Sequence, residues 1–285
     1  MPTDTKRVPG PEVAQPYQWF YGEKEKPVTV GLLNLVCNVN KYNREDGRMF
    51  DELRPVFLKA GIVSQSKGSA YMEVKNTKVI CAVYGPHEVD RREDFQMNGQ
   101  LRCEFKFATF ACRARRQHQS DAQEKEFSVI VQKALESAVC LSKFPKAQLD
   151  IFVTVLEDGG SCLAAALTCA SAAVADAGID MYDVAIGCTV KQIGERCLID
   201  PTFDEEQSVL SKENKEAGSG RTTICLLPSI NQISAFLQEG ELDVEASVQG
   251  MQSCIEGCQR LYPVVHHCLI EAVKKKFLAG SKEVT

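Results

Sequence analysis

The residues best suited to chemistry form a short run in which Gly159, Gly160 and Ser161 separate an apolar segment from one rich in small residues. Two adjacent glycines let backbone N–H groups approach a ligand closely, and the first turn of a following helix adds partial positive charge. This combination predicts a corner that can hold a phosphate group. However, Cys162 and Leu163 occupy the positions where an arginine or lysine would be expected to close such a site.

The same pair of glycines is equally compatible with a tight turn that binds nothing, because glycine adopts φ > 0 at no steric cost. The corner lacks the G-x-G-x-x-G pattern of a dinucleotide site, and the sequence contains no G-x-x-x-x-G-K-[ST] loop. None of the four histidines lies in an H-E-x-x-H motif or has a G-x-S-x-G partner, which leaves a zinc protease or a serine hydrolase without support.

An acidic segment further along the chain contains Asp200, Asp204, Glu205 and Glu206. Carboxylates beside a phosphate site could bind Mg²⁺ or act as a general acid in phosphoryl transfer. The alternative is a solvated helix start, where acidic residues are also favourable. The spacing alone favours the helix start, and no metal site is predicted.

A basic cluster lies between residues 102 and 118, where five bases accompany a single acid, Glu104. The formal net charge of −5 argues against a chain that coats nucleic acid, but a local excess of positive charge can still bind an anion. We therefore predict contacts with an RNA phosphate backbone, while a solvated loop fits the sequence equally well. The bases are Arg102, Lys106, Arg113, Arg115 and Arg116.

The composition is that of an ordinary soluble protein of 285 residues with thirteen cysteines. Many of the cysteines lie in apolar segments, where cysteine behaves as a small hydrophobic residue, so we expect reduced thiols and no zinc site. No run approaches the ~20 apolar residues of a membrane span, and the first residues lack the apolar core of a signal peptide. The sequence therefore predicts an intracellular protein with no membrane contact.

The predicted domain organisation is an extended N-terminal tail at residues 1–49, one domain at 50–278 and a short tail at 279–285. The domain divides into halves at 50–183 and 184–278. A meander of strands is predicted at residues 62–65, 69–74 and 77–84, with the third strand covered on both faces and ended by Gly85 and Pro86.

The remaining pattern predicts an α+β domain with mixed sheets and packed helices. A helix with apolar positions from Phe127 to Val139 ends before Pro145, and either Ser120 or Asp121, with Gln123 or Glu124, supplies the capping chemistry at its start. A long helix kinked at Pro263 begins at Asp243. A small-residue helix at 163–177 follows the glycine corner. The other strands are predicted at 100–107, 149–156, 184–192, 196–200, 222–227 and 230–237.

Several motifs together resemble the RNase PH family, and more closely the RNase PH-like subunits of the eukaryotic RNA exosome ring. The resemblance covers roughly residues 53–277 and implies the RNase PH-like fold, which is ribosomal protein S5 domain 2-like. The motifs are Leu53-Arg54-Pro55, Gly68-Ser69-Ala70-Tyr71, the run from Thr77 to Pro86, Asp158-Gly159-Gly160-Ser161, the run from Ala175 to Ile179, and the run from Pro228 to Gln232.

The resemblance implies an ancestral reaction in which inorganic phosphate attacks the 3′-terminal linkage of RNA and releases nucleoside diphosphates. Active members hold the phosphate with an arginine at the position of Cys162. Their acidic segment is retained here only in part, with Asp200 kept, Thr202 in place of the second acid and Glu206 in place of the last. We therefore expect no catalytic residues and no cofactor, and treat Gly159, Gly160 and Ser161 as a vestigial phosphate corner.

The resemblance also implies the partners. We expect a subunit that pairs with paralogous RNase PH-like subunits in a six-membered ring, alongside RNA-binding cap subunits and a hydrolytic nuclease subunit, in the nucleus, nucleolus and cytoplasm. Arg91 and Arg92 match a loop that faces the pore of such rings, and Arg113, Arg115 and Arg116 match a region that contacts single-stranded RNA. The alternative is an active phosphate-dependent 3′-to-5′ exoribonuclease.

Overall fold

The computed structural model describes residues 44, 46–89, 98–194, 196–207 and 219–280. Most of the predicted N-terminal tail lies outside these residues, and the division of the chain into a tail and two halves stays a prediction. The described residues form nine strands in two sheets together with four α-helices, so the predicted α+β class with mixed sheets is confirmed. None of the described helices is long and apolar enough to cross a membrane.

The first sheet contains the N-terminal strands in the order β1-β2-β3-β5-β4. Only β4 and β5 are parallel, and the helix α1 that connects them makes the crossover that a parallel pair requires. The strands are β1 Val56–Ala60, β2 Gly68–Val74, β3 Thr77–Glu88, β4 Gln100–Phe107 and β5 Ala147–Glu157.

The second sheet is antiparallel throughout, with the order β7-β6-β8-β9. Its strands are β6 Ile186–Ile193, β7 Arg196–Ile199, β8 Ser219–Leu227 and β9 Gln232–Glu241. The helices are α1 Ala122–Ala138, α2 Cys162–Asp176, α3 Phe203–Gln207 and α4 Val244–Gly280, and a short 3₁₀-helix spans Leu141–Lys143.

Helix α2 lies between the two sheets, which explains its small residues. On one side the Cys169 thiol lies 3.3 Å from the Ala70 carbonyl of β2, and on the other the Gly187 N–H of β6 donates to Thr168 Oγ1 at 3.0 Å. Every residue from 162 to 174 is buried, and larger side chains would force the sheets apart. Because β5 leads directly into α2, the glycine corner sits where the two sheets meet.

Helix α1 begins as predicted. Asp121 is its N-cap, and the Glu124 carboxylate accepts from the Asp121 backbone N–H at 3.2 Å, which completes a capping box. Phe127 packs edge-on against Phe105 of β4, with ring centroids 5.3 Å apart. Helix α4 covers the other face of the second sheet and continues through Pro263.

Three details of the predicted meander are wrong. The first strand is Val56–Ala60 rather than residues 62–65, because Gly61 turns the chain at φ +71° and the backbone from 61 to 67 is irregular. Strand β3 continues through Gly85 and Pro86 to Glu88. It is also not covered on both faces, since its side chains alternate between buried and half-buried from residue 77 to 83.

Candidate phosphate corner and basic patch

Both glycines of the corner are required by close backbone packing. Gly160 has φ +100°, and a Cβ at this position would lie 2.5 Å from the Phe203 backbone nitrogen and 2.6 Å from the Pro201 carbonyl. A Cβ on Gly159 would lie 2.7 Å from Asn76 Cβ. The two glycines therefore allow residues 201–203 and the β2–β3 turn to pack closely against the backbone of the corner. The sequence predicted that a ligand would make this close approach.

Replacing Gly160 by alanine should lower the free energy of unfolding by about 1–3 kcal/mol more than replacing Gly178 by alanine. Both glycines have positive φ, but a Cβ on Gly178 would meet nothing within 4 Å. The difference between the two variants therefore isolates the cost of overpacking, which is typically about 1–3 kcal/mol. Denaturant midpoints measure it, and equal losses would show that the residues around 201–203 move aside freely.

The N–H groups of the corner are occupied by carboxylates of the same chain. Ser161 N–H donates to Glu206 Oε1 at 2.8 Å, and Gly160 N–H donates to Asp158 Oδ1 at 3.2 Å. Ser161 Oγ donates to the Pro201 carbonyl at 3.1 Å. Ser161 itself is held at φ 54° as the N-cap of α2. The N–H of the N-cap residue therefore donates to the chain's own Glu206, where the sequence predicted a phosphate.

Arg221 of β8 supplies the cation nearest to Glu206, and sequence reasoning missed it. Its guanidinium lies 3.3 Å from Glu206 Oε2 and 2.7 Å from Glu239 Oε2. Burial raises the pKa of the Glu206 carboxyl, and the attraction of Arg221 offsets only part of this effect. The signal in the sequence is a lone arginine among the otherwise uncharged residues of the strand Ser219–Leu227.

Cys162 does not replace the missing basic residue. Its side chain is buried, and burial raises the pKa of the thiol well above the ordinary value, so it stays neutral at physiological pH. Leu163 is buried as well. Burial also raises the pKa of Asp158, although Gly160 N–H donates to it. The two positions where a basic residue was expected are therefore filled by buried, uncharged side chains.

Asp200 forms a buried ion pair with Arg54. Arg54 donates from Nε to Asp200 Oδ2 at 2.8 Å and from Nη2 to Oδ1 at 2.6 Å. Burial alone would raise the pKa of Asp200, but the hydrogen bonds from Arg54 outweigh burial and lower it. Arg54 also donates to the carbonyls of Gly159 and Gly160, both at 3.0 Å. Asp200 therefore anchors the corner through Arg54.

The acidic side chains of this segment make contacts in different directions. Glu206 faces the corner, and Asp204 lies 2.7 Å from Arg113, so the predicted acids point to different partners. Across the described residues no three His, Cys, Asp or Glu side chains are arranged to hold a metal ion. Asp204, Glu205 and Glu206 lie in the first turn of α3, which begins at Phe203. The predicted solvated helix start is therefore correct only in part, because Asp200 precedes the helix and both Asp200 and Glu205 are buried.

The structure brings Arg113 and Arg116 to the mouth of the corner. Arg113 pairs with Asp204 and lies over the Phe203 ring, 5.0 Å from its centroid. Arg116 Nε donates to Cys112 Sγ at 3.1 Å, and that sulfur lies 3.9 Å from Asp158 Oδ2.

The other predicted RNA-binding residues are placed differently. Arg115 is exposed and makes no ion pair within the part of the chain that the structure describes. Lys106 lies 3.8 Å from Glu104 on the exposed side of β4, and no described contact joins it to the arginines. Arg91 and Arg92 lie outside the described residues.

Comparisons with known proteins agree with this fold. Residues 52–180 match the RNase PH family, described as the 3′ exoribonuclease family, domain 1. The chain is 38% identical over 297 residues to the human exosome complex component MTR3. The alignment covers 98% of this chain and 99% of that protein. It also resembles the crystal structure of rice Rrp46, with a TM-score of 0.67, 21% identity and coverage of 79% of this chain and 100% of that chain.

A second solved structure is the Archaeoglobus fulgidus exosome with RNA bound to the active site. Its TM-score is 0.64 at 21% identity, with 78% of this chain and 92% of that chain covered. Likeness at this identity concerns the fold alone. The predicted RNase PH-like fold is thus confirmed.

Proposed function

Since this chain belongs to the RNase PH family of 3′ exoribonucleases, we propose that it is a non-catalytic subunit of the core ring of an RNA exosome. In this role it pairs with paralogous RNase PH-like subunits and helps to guide single-stranded RNA towards a hydrolytic nuclease subunit. RNA-binding cap subunits complete the assembly. The expected processes are rRNA maturation and mRNA decay, in the nucleus, nucleolus and cytoplasm.

The contact between Glu206 and Ser161 is the observation that carries the non-catalytic part of the proposal. A phosphate ion entering the corner would have to displace a buried carboxylate that already accepts the Ser161 N–H at 2.8 Å. It would also meet the carboxylate of Asp158, which is largely buried. Two unit charges of like sign at 4 Å repel by about 4 kcal/mol at an effective dielectric constant of 20. Arg221 offsets only part of this repulsion, because Glu239 shares it.

The positions of the arginines support the RNA-guiding part of the proposal. Arg113 and Arg116 flank the corner, and Arg115 is exposed beside them. Guanidinium groups bind phosphate oxygens without reading the base, which suits a subunit that handles RNA of any sequence. Arg113 pairs with Asp204 and Arg116 with Asp121. Both carboxylates are partly exposed, so RNA phosphates can compete with them for the two guanidinium groups.

The proposal is tested by supplying purified rings with a single-stranded RNA and inorganic phosphate in the absence of the hydrolytic nuclease. We expect no nucleoside diphosphates above the level measured without phosphate. Chromatographic separation of the nucleotide products provides the readout. Release that requires phosphate and is lost when Glu206 is replaced by alanine would instead identify this chain as an active phosphorolytic exoribonuclease.

The design separates this chain from its neighbours. If another subunit were the phosphorolytic one, release would depend on phosphate but would be the same in rings carrying wild-type Glu206 and in rings carrying Glu206→Ala. A matched control replaces Glu256, an exposed acid on α4, by alanine. This variant removes the same charge far from the corner and should leave any product level unchanged.

A further inference from the structure

Strand β9 is the outer strand of the second sheet, and helix α1 also contacts it. Among the described residues its outer edge is open to strand pairing. The strand pairs with β8 along one side, and within the described residues no strand pairs with its other side. An open edge presents a row of backbone N–H and C=O groups, which an extended chain can bind as an additional strand. At about 3.4 Å per residue, the ten residues of β9 offer an edge roughly 30 Å long.

Large apolar side chains are exposed beside this edge. Ile233 is paired in register with Leu226, and Phe236 with Ile224, so both project from the same face of the sheet despite a bulge between them. Their exposed fractions are 43% and 48%. Gln238 Nε2 donates to Ser247 Oγ at 2.7 Å, so the first turn of α4 lies beside the C-terminal half of β9.

Helix α4 adds an apolar stripe on the same side. Val244, Val248, Met251 and Ile255 follow i, i+4, i+7 and i+11 spacing and therefore share one side of the helix. Val244 and Val248 are 81% and 47% exposed, while Met251 and Ile255 are half-buried. We call Ile233, Phe236, Val244 and Val248 the β9 strip. Its apolar character and the open backbone edge together fit an extended strand with apolar side chains.

The rim of the β9 strip is acidic. Glu241, Asp243 and Glu245 are exposed, and within the described residues none of them makes an ion pair. A second copy of this chain, paired antiparallel through β9, would place the uncharged residues 232–234 opposite the acidic end. Charge complementarity therefore favours a different chain that carries lysine or arginine at one end of its strand.

We propose that the open edge of β9 binds an extended strand of a neighbouring RNase PH-fold subunit, which becomes the fifth strand of the second sheet. The partner strand covers Phe236 and Val248 with apolar side chains and places a basic residue against Glu241 or Asp243. Main-chain hydrogen bonds supply the affinity, and the apolar strip and the acidic rim select the partner. This inference rests on the proposed ring function and assigns the surface that the ring would use.

Replacing Phe236 by glutamate in the co-expressed complex tests the proposal. A charge at the centre of a buried apolar contact should reduce recovery of the neighbouring subunit with this chain at least tenfold. The matched control replaces Val273 by glutamate, because this side chain is also 50% exposed but lies far along α4. Normal recovery of the partner with Phe236→Glu, or equal loss with both variants, would overturn the proposal.

Amide hydrogen exchange of the wild-type complex provides a second measurement. It needs no substitution, so misfolding of a variant cannot affect the result. Amides of residues 232–241 that point away from β8 should be protected at least tenfold more in the ring than in the chain without its neighbour. Equal exchange in the two samples would reject β9 as the interface while leaving ring membership intact. A wild-type chain that enters no ring at all would instead remove the proposed function, and a stable homodimer through β9 would show that the partner is a second copy.

Discussion

Replacing Arg54 by alanine should lower the free energy of unfolding by about 3–5 kcal/mol, which is the usual cost of removing one partner of a buried ion pair. Arg54 is 2% exposed, so its loss leaves the Asp200 carboxylate without its main counter-charge. The Gly159 carbonyl would also lose its bond from Nη1. Chemical denaturation followed by circular dichroism measures the change in this chain or in its complex.

The control for this prediction is Arg260→Ala, which removes an arginine from an ion pair with Asp51 of similar length. In that pair the shorter contact is 2.7 Å, and the side chains are 46% and 62% exposed. Exposed pairs contribute about 0–1 kcal/mol, so this variant should unfold almost like the wild type. Similar losses in the two variants would mean that burial of the Arg54–Asp200 pair is not what makes it important.

Replacing Arg113, Arg115 and Arg116 together by glutamate should weaken binding of single-stranded RNA to the assembled ring roughly tenfold or more at moderate salt. Each phosphate contact to a single strand contributes about 0.7 to the slope of log K against log salt concentration, so the slope should fall by about 2. In this variant the new glutamates at positions 113 and 116 would lie beside Asp204 and Asp121. The resulting cluster of negative charge would repel RNA phosphates further. Fluorescence anisotropy at several salt concentrations measures both quantities.

A charge-matched control is available on the helices. Lys133 on α1 and Lys274 and Lys275 on α4 are exposed, and their replacement by glutamate changes the net charge by the same amount. Equal losses of RNA affinity in the two triple variants would show an effect of net charge alone. An unchanged affinity and salt slope in the arginine variant, with no crosslink from RNA to these residues, would favour a purely structural subunit.

Local features of the fold were predictable because they depend on neighbouring residues. The small residues of α2 and the presence of capping residues before α1 can be read from spacing and residue type, although the choice of Asp121 and Glu124 over Ser120 and Gln123 comes from the structure. The sequence predicts a strand at residues 62–65 rather than Val56–Ala60, because β1 is short and its register depends on pairing with β2. Short edge strands carry too little pattern of their own to decide between such neighbours.

The candidate site shows the same division. Sequence reasoning identified the glycine corner and its missing cation, since both are properties of consecutive residues. It could not place Glu206 on Ser161, because these residues are 45 positions apart and meet only when the second sheet packs on α2. The partner of Asp200 could not be predicted for the same reason. Arg54 is 146 positions away, and its burial cannot be inferred from the neighbouring sequence.

Under the proposed function, the contact between Glu206 and Ser161 makes the carboxylate a competitor of phosphate that is tethered beside the Ser161 N–H. A tethered group acts at an effective concentration of about millimolar or higher when its linker holds it near the site. Here the linkage is a short helix whose backbone bonds to the corner, since Phe203 N–H donates to the Gly159 carbonyl at 2.9 Å. In the proposed function, free phosphate would therefore have to displace a carboxylate that the chain itself holds beside Ser161.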